Sequence, residues 1–327
     1  MTASGLTLDE GAATAGVTAR AASFRRQWRM KPEELLLVLF LVPALVYVAI
    51  FFAYPIYINI KMSLEQYGFA AVVVGHGPFV GFANYAASLG QGTTVRALIN
   101  TAAFTVGSIV FQFLIGFAIA VYFSQKFRGA EILRRIILIP WVMPLVAVAT
   151  VFELVFATPN GLADQVLHAL GLTNGSTPWL TNGTLAVGAI IVSNIWVGIP
   201  FNAVILYSGL EDVPKDLVEA ASVDGANRWQ RFTRVIVPTM RPVILIVLML
   251  GIVYTVKAFD LVFVLTGGGP ANESQLLASW AYTLSLTDFQ FGQGAAVGNV
   301  LLVFCLVVGL IYMRISRDPS PRGARAR

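Results

Sequence analysis

Residues Glu211–Pro242 read EDVPKDLVEAASVDGANRWQRFTRVIVPTMRP, a polar stretch set between two long apolar segments. Pro214 suits the first turn of a helix, where its missing N–H would have no partner anyway. Leu217, Ala220 and Ala221 then share one face at helical spacing. Asp224-Gly225 marks a turn, because glycine takes positive φ without steric cost. A second short helix is expected after it, with Trp229, Phe232 and Ile236 on one face, three arginines interleaved, and Pro238 and Pro242 ending it. A helix–turn–helix with small residues on one face and basic residues beside it is a surface suited to docking on another protein. An amphipathic loop lying on lipid is the competing reading; it leaves the Ala220/Ala221 face unexplained.

Composition sets the surroundings of this loop. Hydrophobic residues make up 57% of the 327 and charged ones 12%, against roughly 25% charged in soluble domains. Too few charges remain to cover a water-facing surface, so the chain reads as an all-α integral membrane protein. The single Cys305 lies in an apolar run, which leaves no disulfide framework and no cysteine metal site. His76 and His168 stand alone in expected loops. The net charge of +5 does not point to nucleic acid, because its distribution has another explanation.

A bilayer-spanning helix needs about 20 mainly apolar residues. Six segments qualify: Leu35–Tyr54, Ala97–Gln125, Ile136–Ala157, Thr184–Leu210, Val243–Leu265 and Ala295–Met313. Lys and Arg favour the cytoplasmic side of short loops. Nineteen of the 22 fall in the amino-terminal tail, the second loop, the fourth loop and the carboxyl tail, whereas Lys61 and Arg96 alone fall on the other side and Lys257 lies within a span. Six transmembrane helices with both termini cytoplasmic follow, with the 211–242 loop on the cytoplasmic side. Residues 1–31 are expected as a disordered tail, 32–315 as the membrane domain and 316–327 as a second tail.

The 211–242 segment resembles the EAA loop of ABC importer permeases: Glu219-Ala220-Ala221, then Gly225, then Ile236-Val237-Pro238. Further elements are similar to the carbohydrate branch of that family, which includes the maltose and glycerol-phosphate permeases. They are Phe79–Tyr85 (FVGFANY), Asn100-Thr101, Arg134 with Leu138-Ile139-Pro140, and Leu265–Pro270 (LTGGGP). The resemblance implies a type I ABC importer permease fold and ATPase coupling through Glu219, Ala220, Ala221, Asp224, Gly225 and Pro238. It also implies partners: two ABC ATPase subunits that bind ATP and Mg, a second homologous permease, and an extracytoplasmic sugar-binding protein. This chain has no G-x-x-x-x-G-K-[ST] loop to cradle ATP, so no bound cofactor and no enzymatic activity of its own are expected.

Charged and polar groups inside spans are costly and tend to face a wet cavity. At 1.5 Å per residue, Glu153, Lys257 and Asp260 fall about 21–26 Å from the inner face. Lys257 and Asp260, three apart, are expected to meet on one helix face and, with Glu153, to border a vestibule. A snorkelling lysine with a local counter-ion is the plainer reading of that pair. Asn194, Trp196 and Tyr254 lie near mid-span, where rings could stack on a sugar and an amide could bond its hydroxyls; an interhelical hydrogen bond with aromatic packing is the alternative. Pro140, Pro144 and Pro200 should kink the third and fourth spans. Two other functions stay open: import of a polyol, glycerol phosphate or peptide, and an ion-coupled secondary carrier using Glu153, Lys257 and Asp260.

Overall fold

The computed structural model describes residues 32–125 and 127–316; the expected first tail, residues 317–327 and Lys126 lie outside them. Among the described residues the chain is helical, with one isolated bridge between Glu65 and Phe79. Helices α1 (Pro32–Val48) and α2 (Tyr54–Ser63) flank a π segment at Ala49–Ala53. Short helices α3 (Phe69–Val74) and α4 (Ala83–Leu89) precede the long α5 (Gly92–Ser124). Next come α6 (Ala130–Ile136), α7 (Ile139–Val142), α8 (Leu145–Val155), α9 (Leu162–Ala169) and the long α10 (Gly183–Glu211). The polar loop holds α11 (Lys215–Val223), α12 (Arg228–Arg231), a π segment at Phe232–Ile236 and α13 (Val237–Thr239). Helices α14 (Arg241–Val256), α15 (Asp260–Leu265), α16 (Leu277–Tyr282) and α17 (Phe291–Ser316) complete the chain.

By length and apolar composition, Leu39–Ser63, Gly92–Ser124, Gly183–Glu211 and Phe291–Ser316 can each cross a membrane. Two bent helix pairs raise the count from four to six if each pair forms one span.

Contacts fix how these helices run. Helix α5 meets α10 at Gly107 with Ile191, Gln112 with Gly198 and Gly116 with Asn202. The near-constant offset means that the two lie side by side in the same direction. Helix α14 runs opposite to α10, since Gly209 meets Val243 while Asn194 meets Thr255. Lipid tails are as apolar as leucine, so such packing gains from close fit and dispersion more than from dehydration.

The loops sort to two ends of residues 59–316. At one end, Arg134 stacks on the Tyr207 ring at 4.6 Å and Phe232 of the polar loop packs on Phe117 of α5. At the other, Arg96 pairs with Glu273 at 2.7 Å, and Asn100 donates to the Glu273 and Gln275 carbonyls at 2.7 and 3.1 Å. The Phe79–Tyr85 element belongs to that same end. Asn84 donates to the Ser63 and Glu65 carbonyls, and the Tyr85 hydroxyl lies 3.1 Å from the Asn299 amide nitrogen.

Three expectations change. The third span is not one helix: α6 and α7 meet α8 at 94°. Pro140 opens α7 and Pro144 caps α8, each ending the turn before it by steric exclusion. The depth assigned to Glu153 along a straight rod therefore fails. The fifth span is also broken, because α14 stops at Val256 and α15 starts at Asp260. Lys257 and Asp260 consequently share no helix face. No proline or glycine lies in this break; the outer piece is held by Leu261, Val262 and Leu265, packed in one core with Val148 and Ala149 of α8. Helix α10 holds Pro200 within one helical element, Gly183–Glu211. Finally, Pro238 does not end the second loop helix. It sits in the first turn of α13, and the chain turns by 67° only around Met240.

Candidate functional site

Two regions bring the sequence-derived residues together. In the polar loop, α11 ends in a reversal built on Gly225, whose φ is +83°. The Gly225 N–H donates to the Ser222 carbonyl at 3.1 Å and the Ala226 N–H to the Ala221 carbonyl at 3.0 Å. That is the paired bonding by which a left-handed glycine closes a helix. Two residues on, Asn227 starts the next helix. Its Oδ1 accepts from the Gln230 N–H, and the Gln230 Oε1 accepts from the Asn227 N–H, both at 2.9 Å. Reciprocal capping of this kind satisfies two otherwise unbonded donors.

The loop is thus rigid by local bonding, and its two faces differ. Phe232 stacks against Phe117 at 5.5 Å, and Ile236 packs on a core of Ala120, Leu206, Met240 and Val247. Met240, at the turn into α14, is 1% exposed. On the other face Glu219, Ala220, Asp224, Gly225 and Pro238 are exposed and Ala221 is half-buried. Val223 is 89% exposed and Trp229 71%. Trp229 touches Phe232, ring centroids 6.0 Å apart, but lies at the outer edge of that packing and does not reach the core that Ile236 joins.

The second region is a cavity of about 330 Å³ between α5, α7, α10 and the break between α14 and α15. Asn194, Tyr254, Lys257 and Asp260 all line it. Trp196 and Glu153 do not: Trp196 packs edge-on against Phe152 at 5.6 Å, and Glu153 is exposed on α8. Helix interruption beside a cavity at membrane depth is a recurrent way of exposing backbone groups to a transported ligand.

Reading the chain missed several lining groups: Gln112, Trp141, Phe201 and Phe259. Trp141, Phe201 and Tyr254 form a chain of rings with centroids 6.0 and 6.1 Å apart. The Gln112 amide donates to the Asn194 carbonyl at 2.8 Å, and the Asn194 amide donates to the Thr255 hydroxyl at 3.5 Å. Asn194 thus makes the interhelical contact of the plainer reading while also lining the cavity. An amide at the middle of the Ala97–Gln125 segment, with the other amides only near its ends, was the one available signal for Gln112. The rings gave none, since aromatic residues are equally common against lipid.

Lys257 holds its ammonium 4.9 Å from the centre of the Tyr254 ring. Among the described residues it forms no ion pair with Asp260; the pairs present are Lys61 with Glu65, Arg96 with Glu273 and Arg135 with Glu131. The cavity therefore offers rings, amides, one cation and one carboxylate, a set able to grip a polyhydroxylated ring through both its C–H faces and its hydroxyls. Glu153, Lys257 and Asp260 do not assemble into one coupling cluster. Among the described residues no group of His, Cys, Asp or Glu could hold a metal ion.

Between α8 and α10 a compact turn is organised by Asp164. Its Oδ2 accepts from the Thr177 N–H at 2.9 Å and its Oδ1 from the Trp179 indole at 3.1 Å. Burial pushes this carboxyl up, but bonds from Thr177 and Trp179 and the nearby His168 outweigh it and leave the acid below its ordinary range.

The family described as binding-protein-dependent transport system inner membrane component matches residues 112–320. A trehalose/maltose transport system permease protein of Thermococcus litoralis is 30% identical over 280 residues, covering 85% of this chain and 92% of the relative. A diacetylchitobiose uptake system permease protein of Streptomyces coelicolor is 29% identical over 308 residues, covering 94% of this chain and 92% of the relative. A solved bacterial ABC transporter involved in the import of the acidic polysaccharide alginate is similar in fold, with a TM-score of 0.75. That match is 24% identical and covers 89% of this chain and 98% of the other.

Proposed function

This chain belongs to the family of binding-protein-dependent transport inner membrane components, and from that membership we propose that it is a permease subunit of an ATP-driven sugar importer. It crosses a bacterial inner membrane six times with both termini in the cytoplasm, each bent pair counting as one span. A second, related permease completes the pathway, and an extracytoplasmic binding protein delivers the sugar. Two separate ATPase subunits bind ATP and Mg and supply the hydrolysis.

The observation that carries this reading is the polar loop: locally rigid, anchored inward by Phe232 and Ile236, yet presenting Ala220, Val223 and Trp229 to the outside. Exposed apolar side chains on a rigid, doubly capped scaffold suit a protein partner better than water. The ATPase seats on that face. Nucleotide-driven motion passes through Met240 into α14, and so to the wall of the cavity. A sugar as cargo is supported by the rings and amides around Asn194 and Tyr254, and by the trehalose/maltose and diacetylchitobiose permeases among the relatives.

Uptake of radiolabelled trehalose, maltose and diacetylchitobiose by cells carrying the whole system tests this. At least one should be imported in an ATP-dependent manner, and Gly225→Asp should abolish uptake while the chain stays in the membrane. Normal uptake by that variant would remove the coupling role. Accumulation of solute by the lone chain in liposomes under an ion gradient would replace the importer with a secondary carrier. Import of only a polyol, glycerol phosphate or peptide would keep the importer and change its cargo.

A further inference from the structure

We infer that this chain carries a second sugar-binding site, at the opposite end from the polar loop, in a shallow pocket between the segment leaving α2 and the segment entering α17. The pocket measures about 210 Å³ and is lined by Gln66, Tyr67, Asn84, Phe289, Gln290 and Gln293, with glycine backbone between them. It rests on the importer reading only in taking sugar as the cargo; its own chemistry points the same way.

No charged side chain lines it. A phosphate, a carboxylate or an ammonium ion would find no counter-ion there and would lose hydration for little return. The Gln66 and Gln290 amides, exposed on the rim, each offer donors and an acceptor, and a hydroxyl group is likewise both; Asn84 keeps its oxygen and Gln293 its N–H groups for a ligand. Aromatic faces beside amides add cover for the C–H side of a pyranose ring. An uncharged sugar meets both requirements at once. The cavity at the helix break differs, since Lys257 and Asp260 line it.

The pocket is held in shape by bonds that leave its rim free. The Gly292 N–H donates to the Tyr67 carbonyl at 2.9 Å, tying the two segments together. Asn84 donates to the Ser63 and Glu65 carbonyls at 2.9 and 2.8 Å, and Gln91 donates to the Gln293 oxygen at 2.9 Å. Phe69 and Phe291 brace Phe289 at centroid distances of 5.7 and 6.3 Å. Phe289 itself has φ +56°, a conformation uncommon for a bulky side chain and one that concentrates at ligand-holding sites. The strain is not repaid by burial, because the ring stays 48% exposed.

The test uses the full chain, purified with the subunits that accompany it and held in nanodiscs without binding protein. Maltotriose, cellotriose and N,N′,N″-triacetylchitotriose serve as neutral probes and trigalacturonate as the acidic control, followed by saturation-transfer NMR. At least one neutral probe should give a signal and the acid none. Phe289→Ala and, separately, Gln290→Ala should each weaken that binding about tenfold, whereas Leu172→Ala, exposed and outside both pockets, should leave it, and Tyr254→Ala reports any share contributed by the cavity. The site is rejected if no neutral probe binds, if neither pocket variant changes the titration, or if Tyr254→Ala alone abolishes it. A signal that persists while cells import no sugar would reject sugar as the cargo and keep the site. Normal import with no such signal would reject the site alone.

Discussion

The Gln112 amide lies directly across the backbone of Gly198, so close that a methyl group at that position would overlap it. The contact places the Gln112 amide on the Asn194 carbonyl and sets the spacing of the two parallel helices beside the cavity. Gly198→Ala should therefore cost about 1–3 kcal/mol by overpacking, read as a lower midpoint of thermal unfolding in detergent. Gln112→Ala in the same chain should recover part of the loss. Additive losses in the double variant would show that the two residues do not compete for the space.

The loop should separate anchoring from docking. Phe232→Ala removes the contact with Phe117 and should lower thermal stability, whereas Trp229→Ala on the exposed face should change it by less than about 0.5 kcal/mol. Capture of the ATPase subunit on affinity resin should show a loss with Trp229→Ala at unchanged stability. Equal capture by wild type and Trp229→Ala would place the partner elsewhere.

The capping pair offers a graded test of loop rigidity. Asn227→Ala removes the acceptor for the Gln230 N–H and should cost about 1 kcal/mol of helix stability, visible as faster amide exchange over residues 228–232. Asn227→Ser retains a side-chain acceptor and should remain close to wild type. Similar exchange in all three chains would show that packing by Phe232, and not the cap, holds the segment.

Lys257 and Asp260 line one cavity from either side of a helix break without pairing. If both grip the cargo, Lys257→Met and Asp260→Asn should each reduce sugar uptake at least tenfold, and the double variant should be no worse than the poorer single, since contacts to one ligand are not additive. A snorkelling lysine makes the opposite forecast: uptake by Lys257→Met would match wild type.

The Asp164 turn should respond to acid. Its carboxyl sits below the ordinary value of 3.8 when folded, so its stabilising bonds are fully present above that value and disappear as pH falls through the lower, folded one. Trp179 donates to this carboxylate and packs against Phe156 at 5.5 Å. Its fluorescence should stay constant from neutral pH to about 4 and change only below that. Asp164→Asn should remove the acid step. An unchanged acid profile in that variant would assign the step to another group.

Local chemistry decided what could be read from the chain. The loop was legible because Gly225 and the Ala220–Ala221 face signal their conformation within a few residues. The bend near Pro144 was legible in kind, though not in its 94° size. The break after Val256 was not, since nothing between Thr255 and Asp260 forbids a helix and the interruption comes from packing of Leu261 and Val262 on α8. Trp196 was misplaced for a related reason: the rotation of α10 is fixed by close approaches at Gly198 and Gly209. A single sequence does not reveal those.

The interruption between α14 and α15 also bears on what can surround that part of the chain. Where α14 stops, the last carbonyls lose the amides that a continuing coil would have supplied, and acyl chains cannot replace them. Here Thr255, Val256 and Ala258 are buried by the chain's own packing and the rest of the break opens on the cavity, so the gap between Val256 and Asp260 is turned away from where acyl chains would lie.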